Sequence, residues 1–279
     1  MLDAWTRPQA AVFPQPAGSG ARVLVRLDAG HARRPIAAAR VALAAASFVG
    51  FGLGAFLLGA IVLPLVSAAT RGRDRRWRRC QRIVQAAFRF FHDFMRAVGL
   101  VDFDARVGPS LPDHPVVLVA NHPTLIDVTA LVARFGPLCF LAKRALFRNP
   151  LTGPLLYFCG QIPGAGRTLH DNVRVMERAL DRLARGHSLL LFPEGTRSPP
   201  GELLPFHAGA FEIARRAGVP VLPLVMHVRP AALYRGLAWY EIPRRSVRMR
   251  IEPLGEIDPA HADARELGRA IEREIRLKL

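Results

Sequence analysis

The chain alternates short apolar runs with longer amphipathic stretches, and this alternation predicts a sheet flanked by helices. Apolar runs bounded by proline, glycine or charged residues predict strands near residues 102–107, 115–120, 138–142, 188–192, 219–226 and 246–252. Helical spacing of apolar positions is clearest over residues 172–185 and recurs over residues 262–277. The pattern therefore favours the α/β class, with a mixed sheet between helices.

One apolar run is too long for a strand. Residues 41–67 carry no charged side chain, and as a helix they would reach about 40 Å, against a hydrocarbon core of about 30 Å. This length predicts a membrane helix, and several glycines together with Pro64 leave a re-entrant segment as the alternative to a spanning one. Arginines are denser after the run than before it, so we expect an inner-membrane protein whose C-terminal domain faces the cytoplasm.

The stretch that follows, residues 82–98, places phenylalanines and basic residues on opposite sides of a helix. A basic amphipathic helix with such an apolar face is typical of the headgroup layer of anionic lipids. The same face is also suited to packing on the following domain. The sequence leaves both alternatives open.

These patterns divide the chain into four parts. They are an N-terminal segment rich in proline, glycine and arginine (residues 1–35), a transmembrane or re-entrant segment (36–70), a basic amphipathic membrane-surface helix (71–100) and an α/β domain (101–279).

The charge of the chain narrows the choice of partner. A formal net charge of +17 arises from 39 Lys and Arg residues against 22 Asp and Glu residues, which favours an anionic partner. The sequence has no zinc-ligand spacing, aromatic RNA-binding signature or basic leucine-zipper pattern, so we expect an anionic membrane surface and no nucleic acid. The three cysteines, Cys80, Cys139 and Cys159, also lack metal-ligand spacing. Cys139 and Cys159 fall in apolar runs, so we expect these two to be core residues of a reduced, cytosolic domain.

A candidate base follows the predicted strand at residues 115–120, where positions 121–127 have the sequence NHPTLID. Ligands of α/β sheets bind outside the carboxyl ends of the strands. An imidazole takes up a proton best when a carboxylate holds its other nitrogen, so His122 and Asp127 together suit general-base catalysis. The segment contains no serine or cysteine nucleophile, which favours direct attack by a substrate hydroxyl.

The spacing of this pair is weak evidence by itself. The same separation occurs in the pairs His207/Glu212 and His261/Glu266. Both of these pairs lie in helical stretches, where residues five apart diverge around the helix axis. We therefore expect surface residues or residues with satisfied hydrogen bonds there, and a functional pair only at the strand-to-helix turn.

A candidate anion clamp follows the predicted strand at residues 188–192, where positions 192–198 have the sequence FPEGTRS. Gly195 lets the backbone approach a ligand closely, and Arg197 offers a planar fork for phosphate oxygens. Glu194 is suited either to accept a hydrogen bond from a glycerol hydroxyl or to orient Arg197. Taken alone, the segment also fits a turn with a surface Arg–Glu pair.

The two segments together resemble the signature of the glycerolipid acyltransferase family, the lysophosphatidic acid and glycerol-3-phosphate acyltransferases. That signature is Asn-His-x4-Asp, followed about seventy residues later by Phe-Pro-Glu-Gly-Thr-Arg-Ser, and the resemblance extends over residues 100–255. It implies the glycerol-3-phosphate acyltransferase-like fold, with His122 as base and Asp127 as its partner. It also implies an acceptor site formed by Glu194, Gly195, Thr196 and Arg197.

The block between these motifs departs from the family. In the family it ends in an arginine that binds acceptor phosphate, which makes Arg167 the candidate here. The sequence GQIPGAGR at positions 160–167 carries more glycine than the family pattern, and this leaves the acceptor head group open. Lys143 and Arg144, which follow the predicted strand at 138–142, are interpreted as a solvated rim.

The resemblance implies transfer of a fatty acyl chain from a thioester, acyl-CoA or acyl carrier protein, to the hydroxyl of 1-acyl-glycerol-3-phosphate in the membrane. No cofactor and no metal is expected, since arginine binds the phosphate and imidazole is the base. One alternative is the same chemistry on an ornithine-type or polyene-linked lipid. Another is a catalytically silent membrane protein that binds anionic lipid.

Overall fold

A computed structural model of the chain describes residues 34–108, 110–166, 168–234, 237–238 and 240–279. The segment predicted at residues 1–35 therefore lies almost wholly outside the described residues.

The described chain begins with a long helical hairpin. Its first arm is continuous and consists of helix α1 (Arg34–Leu57), one π-helical turn (Leu58–Val62) and helix α2 (Leu63–Ala68). Pro64 lies in the first turn of α2. A proline ring obstructs the carbonyl of the preceding turn, so it explains the local loss of regular α-helix. The second arm is helix α3 (Arg73–Ala97).

The core of the domain is a seven-stranded sheet. Its strands are β1 (Val101–Asp102), β2 (Val117–Ala120), β3 (Leu138–Ala142), β4 (Ile162–Pro163), β5 (Ser188–Leu191), β6 (Val221–Arg229) and β7 (Val247–Pro253). Their order is β1-β7-β6-β2-β5-β3-β4, and neighbouring strands are parallel except for the antiparallel pair β6–β7. The predicted mixed α/β sheet is confirmed.

Helices cover both faces of this sheet. They are α4 (Asp127–Phe135), α5 (Arg144–Arg148), α6 (Gly153–Phe158), α7 (Leu169–Ala184), α8 (Gly209–Ala217), a 3-10 turn (Pro259–His261) and α9 (Ala264–Lys278). Alternate residues of β2 face opposite layers, as the two-residue period of a strand requires. Leu118 packs in the layer with α3 and α4, whereas Val117 and Val119 pack in the layer with α7, α8 and α9.

Several predicted boundaries differ from the structure. The strand predicted over residues 102–107 ends at Asp102, because Asp104 Oδ1 accepts the backbone N–H of Arg106 at 2.9 Å and turns the chain. Strand β4 was not predicted, since two residues are too few for a periodic pattern. Helix α7 begins at Leu169, before the predicted residue 172, because Thr168 and Asp171 form a capping box.

For residues 82–98, helix α3 confirms packing on the following domain, whereas contact with lipid headgroups stays a prediction. Val84 and Met95 are buried against the domain. On the other side of the helix, Phe90 is 75% exposed and Phe94 is 39% exposed. The helix packs on the α/β domain and still presents an aromatic surface.

The apolar arm of the hairpin also packs lengthwise on the domain. Residues 38–68 form a helical stretch of 31 residues that is long and apolar enough to cross a membrane, and only 17% of its most apolar window is buried. Near its start, Arg40 Nε donates to the carbonyl of Pro243 at 2.9 Å. Farther along, a Cβ placed on Gly59 would lie 3.0 Å from Pro154. The exposed side is an apolar stripe of Val49, Leu53, Phe56, Leu57, Ile61 and Leu65.

Candidate active site

The candidate site is built from the carboxyl ends of three adjacent strands. Strands β6, β2 and β5 are parallel, so their carboxyl ends meet at one edge of the sheet. His122 follows β2, residues 192–198 follow β5, and residues 230–234 follow β6. The topology therefore brings the two sequence motifs together and adds a third segment.

His122 and Asp127 form the predicted pair. His122 Nδ1 lies 2.8 Å from Asp127 Oδ2. The Asp127 side chain is fully buried, and that of His122 is 18% exposed. Because the carboxylate accepts the Nδ1–H, the Nε2 atom keeps its lone pair and is the atom suited to accept a proton.

Thr124 fixes the carboxylate in this position. Its backbone N–H donates to Asp127 Oδ2 at 2.7 Å, and its hydroxyl donates to Asp127 Oδ1. A buried carboxylate with three hydrogen-bond donors keeps one orientation toward the imidazole.

Glu194 joins the second motif to the first. Its side chain is 3% exposed, and its Oε1 atom accepts the backbone N–H of His122 at 2.8 Å. Its Oε2 atom accepts the Ser198 hydroxyl at 2.7 Å and the Leu204 N–H at 2.8 Å. With both oxygens bound by protein donors, the geometry supports a positioning role, and contact of Glu194 with a substrate hydroxyl stays a prediction.

Two further contacts hold the motifs in register. The His122 ring stacks on Phe192, with 4.1 Å between ring centroids. The Ser198 N–H donates to the His122 carbonyl at 2.8 Å. Residues that follow β5 thus hold both the ring and the backbone of His122 in place.

Arg197 is oriented by the segment after β6. Its Nη1 donates to the Leu233 carbonyl at 3.1 Å, and the guanidinium is half-buried. The same carbonyl accepts the Leu125 N–H at 3.2 Å. Since a guanidinium carries five N–H donors, this bond fixes its direction and leaves most of its fork for an anion.

The turn before Arg197 requires a glycine. Gly195 has φ +69°, in the left-handed region, and a Cβ there would also lie 3.5 Å from the His207 ring. Gly195 is exposed and Thr196 is half-buried. The structure therefore brings four of the predicted acceptor-site residues together, whereas Arg167 lies outside the described residues and its role stays a prediction.

Several site residues were not identified from the sequence. Asn121, Thr124 and Ser198 lie inside the two motifs, so their polar side chains were an available signal. Asn121 bonds both backbone groups of Met226 in β6. Tyr234 had no such signal; burial, followed by the charge of Asp127, raises the pKa of its hydroxyl to about 12.

Three backbone N–H groups before α4 are already occupied. Those of His122, Thr124 and Leu125 donate to protein acceptors, namely the buried Glu194 and Asp127 carboxylates and the Leu233 carbonyl. Because buried acceptors need donors, these three N–H groups are not available to stabilise an oxyanion.

Possible metal ligands and the three cysteines are the remaining candidate groups. Among the described residues, no three His, Cys, Asp or Glu side chains converge in a metal-binding arrangement. The expectation that no metal or cofactor is needed stays a prediction. Cys139 and Cys159 are buried and free, which confirms their interpretation as core residues, and Cys80 is buried and free as well.

Comparisons with known proteins match the part of the chain that holds both motifs. Residues 105–227, which contain both motifs and the carboxyl ends of β2 and β5, match the family model described as Acyltransferase. Over this stretch, which is less than half of the chain, the protein is similar to the acyltransferase family.

Two curated relatives illustrate the range of the family. The chloroplastic 1-acyl-sn-glycerol-3-phosphate acyltransferase of Brassica napus is 35% identical over 114 residues, 41% of this chain and 33% of that protein. The lyso-ornithine lipid O-acyltransferase of Pseudomonas aeruginosa is 34% identical over 137 residues, 48% of this chain and 51% of that protein. The chain thus spans a third to a half of the length of these relatives.

A solved structure shows the same fold over a longer span. The 1-acyl-sn-glycerophosphate acyltransferase of Thermotoga maritima superposes with a TM-score of 0.70 at 23% identity, covering 87% of this chain and 95% of that one. The helical hairpin and the mixed sheet are therefore parts of one known architecture.

Proposed function

We propose that this protein is a membrane-bound lysophospholipid acyltransferase that esterifies the free hydroxyl of 1-acyl-glycerol-3-phosphate with a fatty acyl chain from a thioester. The main support for the proposal is the His122–Asp127 pair, in which His122 Nδ1 lies 2.8 Å from Asp127 Oδ2. This pair lies at the same edge of the sheet as Arg197. A base and a phosphate-binding group at one edge suit an acceptor that carries both a hydroxyl and a phosphate.

The geometry supports a direct transfer. His122 Nε2 accepts the hydroxyl proton while the hydroxyl oxygen attacks the thioester carbonyl carbon. The carbon–sulfur bond then breaks, and the leaving thiolate takes the proton back from the imidazolium. Asp127 stabilises that imidazolium, a contribution typically worth about 100- to 10,000-fold in rate.

Arg197 is the group we assign to the acceptor phosphate. A guanidinium binds phosphate oxygens in pairs, and the bond to the Leu233 carbonyl fixes its plane. Arg167 is assigned to the same phosphate because the family pattern requires an arginine there. Glu194 contributes to this site indirectly, because it accepts hydrogen bonds from the His122 backbone N–H and the Ser198 hydroxyl.

The hairpin supplies the attachment to the membrane. Arg40 and Gly59 both touch the α/β domain and are separated by roughly 30 Å of helix, about the hydrocarbon thickness. A helix that rests on the domain over this length presents its exposed stripe sideways, which favours the re-entrant or surface-lying alternative over a perpendicular span. We assign it to the cytoplasmic leaflet of the inner membrane, with the active site facing the cytoplasm.

The experiment is a transfer assay with the full chain in nanodiscs. Lysophosphatidic acid is offered with acyl-CoA or acyl carrier protein, and products are identified by mass spectrometry. We expect phosphatidic acid from the wild type and loss of about 99% or more of the rate in His122→Ala. The matched control is His114→Ala, because His114 makes an equally short contact to Glu256, 2.7 Å, on the surface.

The outcomes separate the alternatives. Equal product from His122→Ala and the wild type would refute the dyad and leave a protein that only binds anionic lipid. Loss of product in His114→Ala as well would point to general damage and not to base catalysis.

A second acceptor class is favoured by one relative, since the similar protein from Pseudomonas aeruginosa is named for lyso-ornithine lipid. The glycine-rich block at residues 160–167 departs from the family pattern and leaves the acceptor head group open. If lyso-ornithine lipid gave product in the same assay and lysophosphatidic acid gave none, the acceptor would belong to that class. The roles assigned to His122 and Asp127 would stay the same.

A further inference from the structure

A buried histidine outside the dyad contacts the helix that carries Asp127. His92 of α3 is 1% exposed, and its Nε2 atom lies 3.0 Å from Thr129 Oγ1 of α4. The Thr129 hydroxyl donates its proton to the Ile126 carbonyl at 2.7 Å. A hydroxyl has one proton, so Thr129 accepts from His92 and the Nε2 atom is the donor. Burial lowers the pKa of His92 to about 4, so the ring is neutral at physiological pH and carries its one proton on Nε2.

The two hydrogen bonds end at the residue before Asp127. Ile126 is the N-cap of α4, and Asp127 is the first residue of that helix. The Ile126 carbonyl also accepts the Ala130 N–H at 3.0 Å, which closes the first turn. Holding this carbonyl fixes the peptide unit between Ile126 and Asp127. From this position the Asp127 carboxylate meets His122 Nδ1 at 2.8 Å.

Helix α3 holds α4 at both ends. Arg89 Nε donates to the Ala133 carbonyl at 2.8 Å, near the end of α4 that is remote from the dyad. His92 bonds Thr129 in the first turn, at the dyad end. The bond from His92 is therefore the one that acts on the part of α4 where the catalytic carboxylate begins.

Aromatic rings fix the direction of the His92 side chain. The Phe103 ring meets it edge-on, with 5.0 Å between centroids, and Phe91 lies 5.8 Å away in the same kind of contact. Phe91 in turn packs on Phe51 of α1 at 5.1 Å. A ring packed on several sides has little rotational freedom, so the Nε2–H stays directed at Thr129. The contacts also connect the apolar arm of the hairpin to this bond.

The other ring nitrogen makes His92 unfavourable for packing alone. Among the described residues, no donor lies within hydrogen-bond distance of the buried Nδ1 atom. An unpaired buried polar atom destabilises a fold, and a phenylalanine would fill the same space without that cost. The bond that Nε2 makes to Thr129 is thus the feature that distinguishes histidine from an apolar ring here.

We propose, resting on the dyad assigned in the proposed function, that His92 is a positioning residue for acyl transfer. Through Thr129 it fixes the first turn of α4, and this turn sets how the Asp127 carboxylate meets His122. His92 itself contacts no substrate. Because α3 is an arm of the hairpin, the same bond joins the membrane-attached part of the protein to the dyad.

The first test removes the donor and then restores it. His92→Phe keeps an aromatic ring but donates no hydrogen bond, whereas His92→Gln places an amide N–H near the position of Nε2. We expect kcat per folded molecule to fall roughly two- to tenfold in His92→Phe, the effect of losing one hydrogen bond, with both KM values unchanged. His92→Gln should recover most of the rate. Equal rates in His92→Phe and the wild type, or no recovery in His92→Gln, would overturn the proposal.

The second test approaches the same bond from α4. Thr129→Val keeps the volume of the side chain and removes the hydroxyl that accepts from His92, so we expect a similar fall in kcat. In the double variant His92→Phe/Thr129→Val the two losses should not add, because both changes break one connection. Additive losses would show that His92 acts by another route and would refute its action through Thr129.

The matched control is His187→Phe. His187 is 2% exposed and also meets an aromatic ring edge-on, with 6.0 Å to the centroid of Trp77. It precedes β5, however, so it lies at the edge of the sheet opposite to His122. We expect unchanged kcat per folded molecule. A loss equal to that of His92→Phe would show a general effect of replacing a buried histidine and would contradict the proposal.

NMR separates this proposal from the proposed function. A proton shared by an imidazole nitrogen and a carboxylate resonates far downfield, whether or not an acyl chain is transferred. We expect the His122 Nδ1–H resonance to be alike in wild type, His92→Gln and His187→Phe, and shifted or broadened in His92→Phe. If this pattern appeared and no acceptor were esterified, the proposed function would fail and the positioning role would stand. An unchanged resonance in folded His92→Phe would overturn the positioning role.

Discussion

The Oε1 atom of Glu194 accepts the backbone N–H of His122 at 2.8 Å, so the acidic residue of the second motif holds the base of the first. Its other oxygen binds Ser198 and Leu204, which leaves the carboxylate buried and satisfied. The two motifs are therefore one structural unit, although 72 positions separate Glu194 from His122.

We expect Glu194→Gln to lower kcat with little change in the KM for the acceptor. The glutamine side chain keeps the shape of glutamate, but its NH₂ group replaces one of the two oxygens that accept hydrogen bonds. That NH₂ group would face another donor, and the lost hydrogen bond costs about 1.5–3 kcal/mol. Steady-state kinetics with varied acceptor measure both constants. A large rise in acceptor KM at unchanged kcat would instead assign Glu194 to substrate contact.

Thr124 should prove to be a positioning residue for the dyad. Thr124→Val keeps the volume and removes the hydroxyl that donates to Asp127 Oδ1, so we expect kcat to fall roughly tenfold. Thr124→Ser restores the donor and should recover most of the rate. If the serine variant were no faster than the valine variant, packing and not hydrogen bonding would explain the effect.

Arg197 should affect acceptor binding more than chemistry. Arg197→Lys keeps one charge but loses the planar fork, and we expect the KM for lysophosphatidic acid to rise about tenfold or more. The KM for the acyl donor should change little. A comparable rise for both substrates would show that the change disturbs the Leu233 segment and not the phosphate site.

Acid should destabilise the protein through His92. This residue is 1% exposed, its Nε2 lies 3.0 Å from Thr129 Oγ1, and burial lowers its pKa to about 4. The unfolded state takes up the proton as the pH falls below about 6.5, whereas the folded state does so only near 4, so stability decreases across this window. By pH 5, the lowered pKa of His92 decreases the free energy of unfolding by roughly 2 kcal/mol.

The measurement is the unfolding temperature of wild type and His92→Gln between pH 7.5 and pH 5. His187 also has a pKa lowered to about 4 by burial and nearby arginines, so part of the acid sensitivity remains in the variant. We expect a smaller fall of the unfolding temperature in His92→Gln. Parallel curves would contradict the assignment to His92.

The exposed stripe of the hairpin should govern membrane binding. Leu53 is 58% exposed and Ile61 is 51% exposed, so Leu53→Glu/Ile61→Glu places two charges on this surface without entering the core. We expect the variant to fold and to float less with anionic liposomes than the wild type. Unchanged flotation would show that this surface does not meet the bilayer.

The fold class could be predicted from the sequence because strands and helices leave patterns among neighbouring residues. The run that forms β2 and the helical period of α7 are visible in a few neighbouring residues. The dyad was also predictable, because five positions separate His122 from Asp127 and the strand end fixes where they lie.

The rest of the site depends on contacts between distant residues. The bond from Arg197 to Leu233 joins two loops that have no common sequence pattern, and the positive φ of Leu233 is set by its surroundings. Arg144, which was interpreted as part of a solvated rim, likewise bonds to the Gly164 carbonyl and to Asp171, and these partners are 20 and 27 positions away in the sequence.

The central claim is that Asp127 makes His122 a base for the acceptor hydroxyl. Its most direct test is the single-turnover rate of acyl transfer to lysophosphatidic acid in nanodiscs for wild type and Asp127→Asn, each with a fold check by circular dichroism. We expect the rate to fall by about 100- to 10,000-fold in a folded variant, because the amide no longer holds the Nδ1–H tautomer. A folded Asp127→Asn protein that transfers acyl chains at the wild-type rate would contradict the account.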